Sequence, residues 1–340
     1  MNNYENIRLD KSLYNAPGGF SRALEALDPS SEYRDTSLSG LDAFGRQLKR
    51  FDIKISGPES DCVEKFFRTS ESSALFPEYV SRAVRRGMDE EDVIPDIVAA
   101  TTLINGLDYR SLASVISGED RELAVVGEGA FIPQTEINVS ESLVSLKKRG
   151  RMLVASYEAI KFQRLDVFTV TLRQIGAYIA RTQLGDAVDI IINGTGENDE
   201  ADVIYTATAG EVVYTDLINL WSALSPYKLT TLLVSPDAAQ KLLALDEMSD
   251  AQAGLTFHGT GKMITPLGAE LICSSRVPEN TIIGLDKDYA LERVQSGEVT
   301  TEYDRLIDRQ LERAAITCTA GFSKLFTDAA VVLSLASQDE

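Results

Sequence analysis

The chain has 340 residues, 33 Lys and Arg against 52 Asp and Glu, and a formal charge of −19. Apolar residues make up 44% and charged residues 25%, a globular balance that excludes a disordered, collagen-like or disulfide-scaffold chain. The length exceeds the roughly 250–300 residues at which a single core stops growing, so two structural units or more are expected. The excess of acid argues against sequence-independent duplex binding, which rests on Lys and Arg. No apolar run approaches the ~18 residues of a membrane span, and the opening residues lack the apolar stretch of a signal peptide, so no membrane role is expected.

Residues 1–70 hold short helical pieces around Ser21–Leu27 and Leu41–Phe51, separated by Gly, Pro and Ser turns. Isolated helices this short are marginal in water. The stretch therefore reads as an arm without a core of its own, docked through Tyr14, Phe20, Leu24, Leu27, Phe44, Leu48 and Phe51.

Phe76-Pro77 opens a helix, since Pro suits a first turn, with Tyr79, Val80, Ala83 and Val84 on one face. Arg82, Arg85 and Arg86 share the other, a basic spot that could meet carboxylates of a neighbour or simply face solvent. Residues 107–150 read as a β-ribbon, with strands at Leu123–Val126 and Leu143–Leu146 around the charged turn Glu119, Asp120, Arg121 and Glu122. It has too few large apolar groups for its own core and needs a partner surface.

Leu165 to Ile192 carries the strongest periodicity. Phe168, Leu172, Ile175 and Ile179 fall on one helix face, and Leu184, Val188 and Ile191 resume it. At 1.5 Å per residue this spine is roughly 42 Å long, closed by Asn193-Gly194. Its stripe is expected to pack on the α/β body that follows.

That body alternates helices and strands over residues 200–300. Thr215 is expected to cap a helix bearing Ile218, Trp221 and Leu224, and Ser235-Pro236 to open a second. Strands are expected at Thr230–Val234, Ala269–Ser274 and Thr281–Leu285. Ala314–Phe322, Lys324–Phe326 and Ala329–Leu335 read as closing strands with a bend at Gly321.

Chemistry-bearing residues are few. His258 is the single histidine and sits in a Gly-rich turn, so no two-His metal motif exists and a Ser or Cys triad has one possible base. Cys62, Cys273 and Cys318 lack metal or disulfide spacing and read as buried thiols. Gly194-Thr195-Gly196 follows a helix instead of opening one, which removes the helix N-terminus that binds phosphate. No catalytic, cofactor or metal site is assigned.

Gly127-Glu128-Gly129-Ala130 to Ile132-Pro133, the run Val144 to Arg151, Ser156-Tyr157-Glu158, the long helix and the closing segments Ala314–Cys318, Gly321-Phe322 and Ala329–Leu333 together resemble the tailed-phage major capsid proteins with the Hong Kong 97-like fold. The resemblance covers residues 75–335. It implies an α+β chain with an N-terminal arm (1–70), the start of a peripheral domain (71–106), an extended E-loop (107–150), the spine helix (151–192), an axial domain (193–305) and C-terminal peripheral strands (306–340).

By this resemblance the function is mechanical. Copies of the chain would close as pentamers and hexamers into an icosahedral shell around double-stranded DNA, held without sequence-specific binding. A portal and a separate scaffolding protein are implied, because the arm is too short for a built-in scaffold. The chain would belong to the virion and assemble in host cytoplasm. The E-loop tip Glu119–Glu122 contains no Lys for a covalent cross-link, so subunits should be held non-covalently, the tip meeting a neighbour's Arg82, Arg85 and Arg86. An acidic inner wall would let packed DNA slide. The alternatives are an encapsulin-type protein nanocompartment and, from another class, an α/β enzyme built on 193–305.

Overall fold

A computed structural model describes residues 4–16, 18–113, 125–129, 131, 138–139, 143–196, 199–249, 262–297, 299–306 and 308–337. The chain divides into two compact units. One comprises residues 1–91, 149–180 and 299–318, the other 92–148, 181–298 and 319–340. The helix Leu165–Asn193 and the strand Leu311–Lys324 each supply residues to both.

The first unit is organised by the crossing of two helices, Phe76–Glu91 and the spine. A Cβ added at Gly87 would lie 2.0 Å from the Arg173 carbonyl oxygen, and one added at Gly176 2.0 Å from that of Val84. The backbones touch there because both residues lack side chains. Next to the crossing, Phe76, Tyr79 and Phe168 pack ring on ring at 6.1–6.4 Å. The Tyr79 hydroxyl lies 2.9 Å from the Leu165 carbonyl, to which it donates, and 2.7 Å from Thr169 Oγ1.

Leu172, Ile175 and Ile179 are buried, and Phe168 packs against them half-buried. Their partners correct the expectation of an α/β body: these residues share one cluster with Leu75, Val80, Val84, Phe20, Leu24, Phe44, Leu48 and Phe66. Only the later residues of the stripe, Leu184, Val188 and Ile191, join the core of the second unit.

The same cluster corrects the coreless arm. Helices Gly19–Leu27 and Ala43–Arg50 lay buried faces into it. Between them Arg46 and Asp28 form an ion pair with both side chains fully buried, Nε to Oδ2 2.6 Å. The guanidinium also donates to the carbonyls of Asp28 and Leu41 and lies 4.2 Å from the Tyr33 ring centroid. Tyr33 donates to the other oxygen of Asp28 at 2.7 Å. A buried pair is sustained only when its remaining hydrogen bonds are satisfied, and here they are met by the folded arm itself.

The second unit holds a five-stranded mixed sheet in the order Asp202–Tyr205, Ala330–Ser334, Thr281–Leu285, Thr231–Val234, Glu270–Cys273. The central strands Thr281–Leu285 and Thr231–Val234 are wholly buried, which explains their unbroken apolar sequences. Helices Tyr214–Ala223 and Pro236–Leu243 contribute Leu217, Leu220, Ala238 and Leu242 to the same cluster. The final strand, expected with the spine, belongs to this sheet: Val331–Ser334 runs parallel to Asp202–Tyr205 and antiparallel to Ile282–Gly284 and its flanks.

Several local expectations change. Val213, not Thr215, occupies the N-cap of Tyr214–Ala223, where Asp216 accepts from the Val213 N–H at 3.0 Å. That helix buries Leu217, Leu220 and Leu224 and exposes Ile218 and Trp221. Ser235 does cap by position, but its hydroxyl makes no capping bond and accepts from Thr281 N–H. Gly321 is not a bend: the strand runs through it, and a Cβ there would meet the Ser145 carbonyl at 2.6 Å. Leu143–Leu146 is not a strand; pairing starts at Lys147 and continues to Ser156. Cys318 is buried, but Cys62 is half-buried and Cys273 exposed.

Two substitutions test the crossing. Leu172→Ala should lower unfolding stability by about 2–5 kcal/mol, the usual cost of an emptied core site. Gly176→Ala should destabilise as well, by about 1–3 kcal/mol of overpacking, although Ala raises helix propensity by ~1 kcal/mol. Chemical denaturation reads both, and a Gly176→Ala protein more stable than wild type would refute the close crossing.

Candidate assembly surfaces

The acidic tip Glu119, Asp120, Arg121 and Glu122 lies outside the described residues, as does His258. The basic spot proposed to face it can be followed in detail. Arg82 is engaged within its own chain: Nη1 reaches Asp42 Oδ2 at 2.5 Å, Nε reaches Glu78 Oε1 at 2.9 Å, and Nη2 donates to Ser21 Oγ at 2.5 Å. Its guanidinium stacks 4.3 Å from the Phe44 ring centroid.

Asp42 is also the N-cap of helix Ala43–Arg50, accepting from Gly45 N–H at 2.8 Å. One carboxylate therefore starts that helix and fastens it to the crossing helix, and Arg82 works as a clamp inside the subunit. Arg85 donates to the Val299 carbonyl at 3.4 Å. Arg86 is the exposed member, 3.0 Å from Glu90 one turn on.

Apolar groups on the surface mark a second kind of site. Phe131 and Val125 are 100% and 101% exposed, and Leu143, on the return side of the same segment, is 52% exposed. Full burial of side chains of this size is worth about 1.5–3 kcal/mol each, so a lone subunit leaves that stabilisation unused. The segment is rooted by the antiparallel pair Leu112–Ala113 with Asn138–Val139. The spine helix likewise exposes Val167, Val170 and Tyr178 on the face opposite its buried stripe. A helix apolar on both sides is normally covered on both.

The second unit also contains a buried cation. Lys324 ends the long strand and donates from Nζ to the Asp199 carbonyl. Burial pulls its ammonium down to about 8, against the opposing pull of Asp199, Glu200 and Asp202.

The sequence reading missed Gly87 and Gly176 and the Arg46–Asp28 pair. A glycine inside a strongly helical pattern is a signal of close packing, and Gly176 carried it. Asp28 and Arg46 carried none, being ordinary residues in a chain rich in charge.

A family model described as phage capsid protein matches residues 139–322, more than half of the chain, and the chain belongs to that family. Its fold is the Hong Kong 97-like capsid fold, and the protein is a capsid shell subunit that associates with copies of itself. The solved capsid of a native GTA particle matches with TM-score 0.53 and 14% identity, covering 74% of this chain and 91% of that one. The capsid of cyanophage P-SCSP1u matches with TM-score 0.53 and 15% identity, covering 72% and 88%. The SrpI encapsulin of Synechococcus elongatus matches with TM-score 0.50 and 13% identity, covering 70% and 85%. At these identities the structures establish fold alone. No curated protein matches the sequence.

The Lys324 site yields a pH signature. Between about pH 8 and pH 10.5 the unfolded chain binds a proton at this lysine that the folded chain does not, so stability rises with pH there. Below that window the cost of the buried ammonium is fully present. Above pH 10 the trend reverses, because burial holds Tyr33 and Tyr79 up to about 12 and the folded chain then binds the extra protons. Denaturation of free subunits from pH 7 to 10 should show wild type gaining about 2–3 kcal/mol relative to Lys324→Met, at ~1.4 kcal/mol per pKa unit. A pH-independent difference would refute it.

Proposed function

We propose that this is the major capsid protein of a tailed bacteriophage, closing as pentamers and hexamers into an icosahedral shell around double-stranded DNA. The observation that carries the reading is the apolar segment around Val125 and Phe131, exposed in the subunit and adjoining the family match that begins at residue 139. Such side chains require a partner, and in a self-assembling subunit the partner is another copy. In this reading 107–150 acts as the E-loop, 193–305 as the axial domain, and 71–106, 151–192 and 306–340 as peripheral elements. Residues 1–70 act as the N-terminal region, and their buried helices make them part of the subunit core. A separate scaffolding protein and a portal complete the assembly, which takes place in host cytoplasm and ends in the virion.

The task is mechanical and requires no catalytic step. The charge of −19 supports containment without sequence-specific grip, since acidic walls repel the phosphate backbone. The encapsulin reading shares the fold and differs in contents. Particles purified from phage-infected cells should hold nuclease-protected double-stranded DNA, whereas shells filled with an enzyme and free of genome would transfer the protein to the encapsulin class.

The tip pairing is now focused on Arg86. Glu119, Asp120 and Glu122 around Arg121 meet cations of a neighbour, with Arg86 the exposed residue of the Arg82, Arg85, Arg86 set and Arg82 held in its own subunit. Arg86→Glu should lower shell yield without unfolding the subunit. Adding Glu119→Lys and Glu122→Lys should partly restore it, because each exposed pair contributes only about 0–1 kcal/mol but recurs at every interface. Absence of rescue in sedimentation assays would refute the pairing.

A further inference from the structure

Glu292 lies in the strand Leu291–Ser296, paired parallel with Ala100–Ile104 and antiparallel with the end of the long strand. Its side chain is buried, only 5% exposed, and accepts three hydroxyl hydrogen bonds. Thr102 Oγ1 donates to Oε1 at 2.5 Å, Tyr109 OH to Oε1 at 2.7 Å and Ser111 Oγ to Oε2 at 2.5 Å. Hydrogen bonds to an ionised acceptor are stronger than neutral ones, and a buried carboxylate deprived of them is costly.

The three donors differ in place. Thr102 belongs to a strand of the same sheet, so its bond ties sheet to sheet. Tyr109 and Ser111 belong to the segment that leaves the sheet, immediately before the pair Leu112–Ala113 with Asn138–Val139. They stand two residues apart, the repeat that returns side chains to one side of extended backbone. Two points of attachment fix a direction where one would allow a pivot. The Tyr109 carbonyl also accepts from Val144 N–H at 2.9 Å, which ties the outgoing chain to the returning one. Apolar packing does not do this work from the flanks, since Leu103, Leu107 and Leu143 are 69%, 65% and 52% exposed.

We propose that Glu292, through Tyr109 and Ser111, is the positioning residue that sets the direction in which residues 107–146 leave the sheet, and so whether that segment reaches a second copy of the chain in the register a closed shell needs. The inference rests on the capsid reading above and adds to it the group that aims the segment.

The test compares Thr102→Val, Tyr109→Phe and Ser111→Ala, each removing one donor, with Glu292→Ala removing the acceptor. Hydrogen exchange on free subunits reads the root locally, and electron microscopy reads the particles. Tyr109→Phe and Ser111→Ala should speed exchange in residues 107–113 by about tenfold or more, the loss of a bond to a charged acceptor, with unchanged exchange in strand Thr281–Leu285. They should also yield aberrant or open particles. Thr102→Val should leave both the root and the shells as in wild type. Glu292→Ala should reproduce the Tyr109 and Ser111 defects, and if it fails to fold the three donor variants decide alone. Equal defects from all three would make Glu292 a general structural residue and overturn the proposal, as would normal shells from Tyr109→Phe with Ser111→Ala combined. Wild-type protein that formed no shells would instead remove the capsid reading.

Discussion

The first unit depends on the contact of two helix backbones at Gly87 and Gly176. Each glycine leaves room for a carbonyl of the other helix, Arg173 for Gly87 and Val84 for Gly176. That closeness draws Phe76, Tyr79 and Phe168 together along one seam and brings Leu172 and Ile175 into the same core as the N-terminal helices. The crossing helix then serves as a rail for the start of the chain. Its Glu78 receives the Ser21 hydroxyl and its Arg82 holds Asp42, while the buried Arg46–Asp28 pair ties residues 28–46 to one another. A side chain at either glycine would push the helices apart and loosen every one of these contacts.

Periodicity made the large elements legible. The spine, the helix from Phe76 and the buried strands Thr231–Val234 and Thr281–Leu285 lie within a residue or two of where their patterns put them. Pattern alone could not assign partners. The stripe of the spine reads identically whether it faces an α/β sheet or the N-terminal helices, because apolar spacing reports a buried face and not what covers it. The same limit led Ile218 and Trp221 to be read as core where Leu217 and Leu220 are. Both rows are apolar, and tertiary packing decides between them. Residues 1–70 read as coreless because their helices are short, yet short helices gain stability from packing far more than from propensity.

Polar sites were less legible still. Arg82 stood out through its neighbours Arg85 and Arg86, and its role inside the subunit arises from Asp42, forty residues earlier. Glu292 is one of 52 acidic residues and gathers its three donors from positions 102, 109 and 111. No sequence spacing could announce that meeting. The free subunit therefore combines a well-satisfied polar interior with apolar groups left in water, at Phe131 and Val125 on the projecting segment and at Val167, Val170 and Tyr178 on the spine. That combination describes a part made to be completed by its own copies.

Electron cryo-microscopy of purified particles tests this claim most directly. The account predicts closed icosahedral shells in which a neighbouring copy covers Phe131 and Val125. Monodisperse subunits, or a shell in which those two side chains still face solvent, would contradict it.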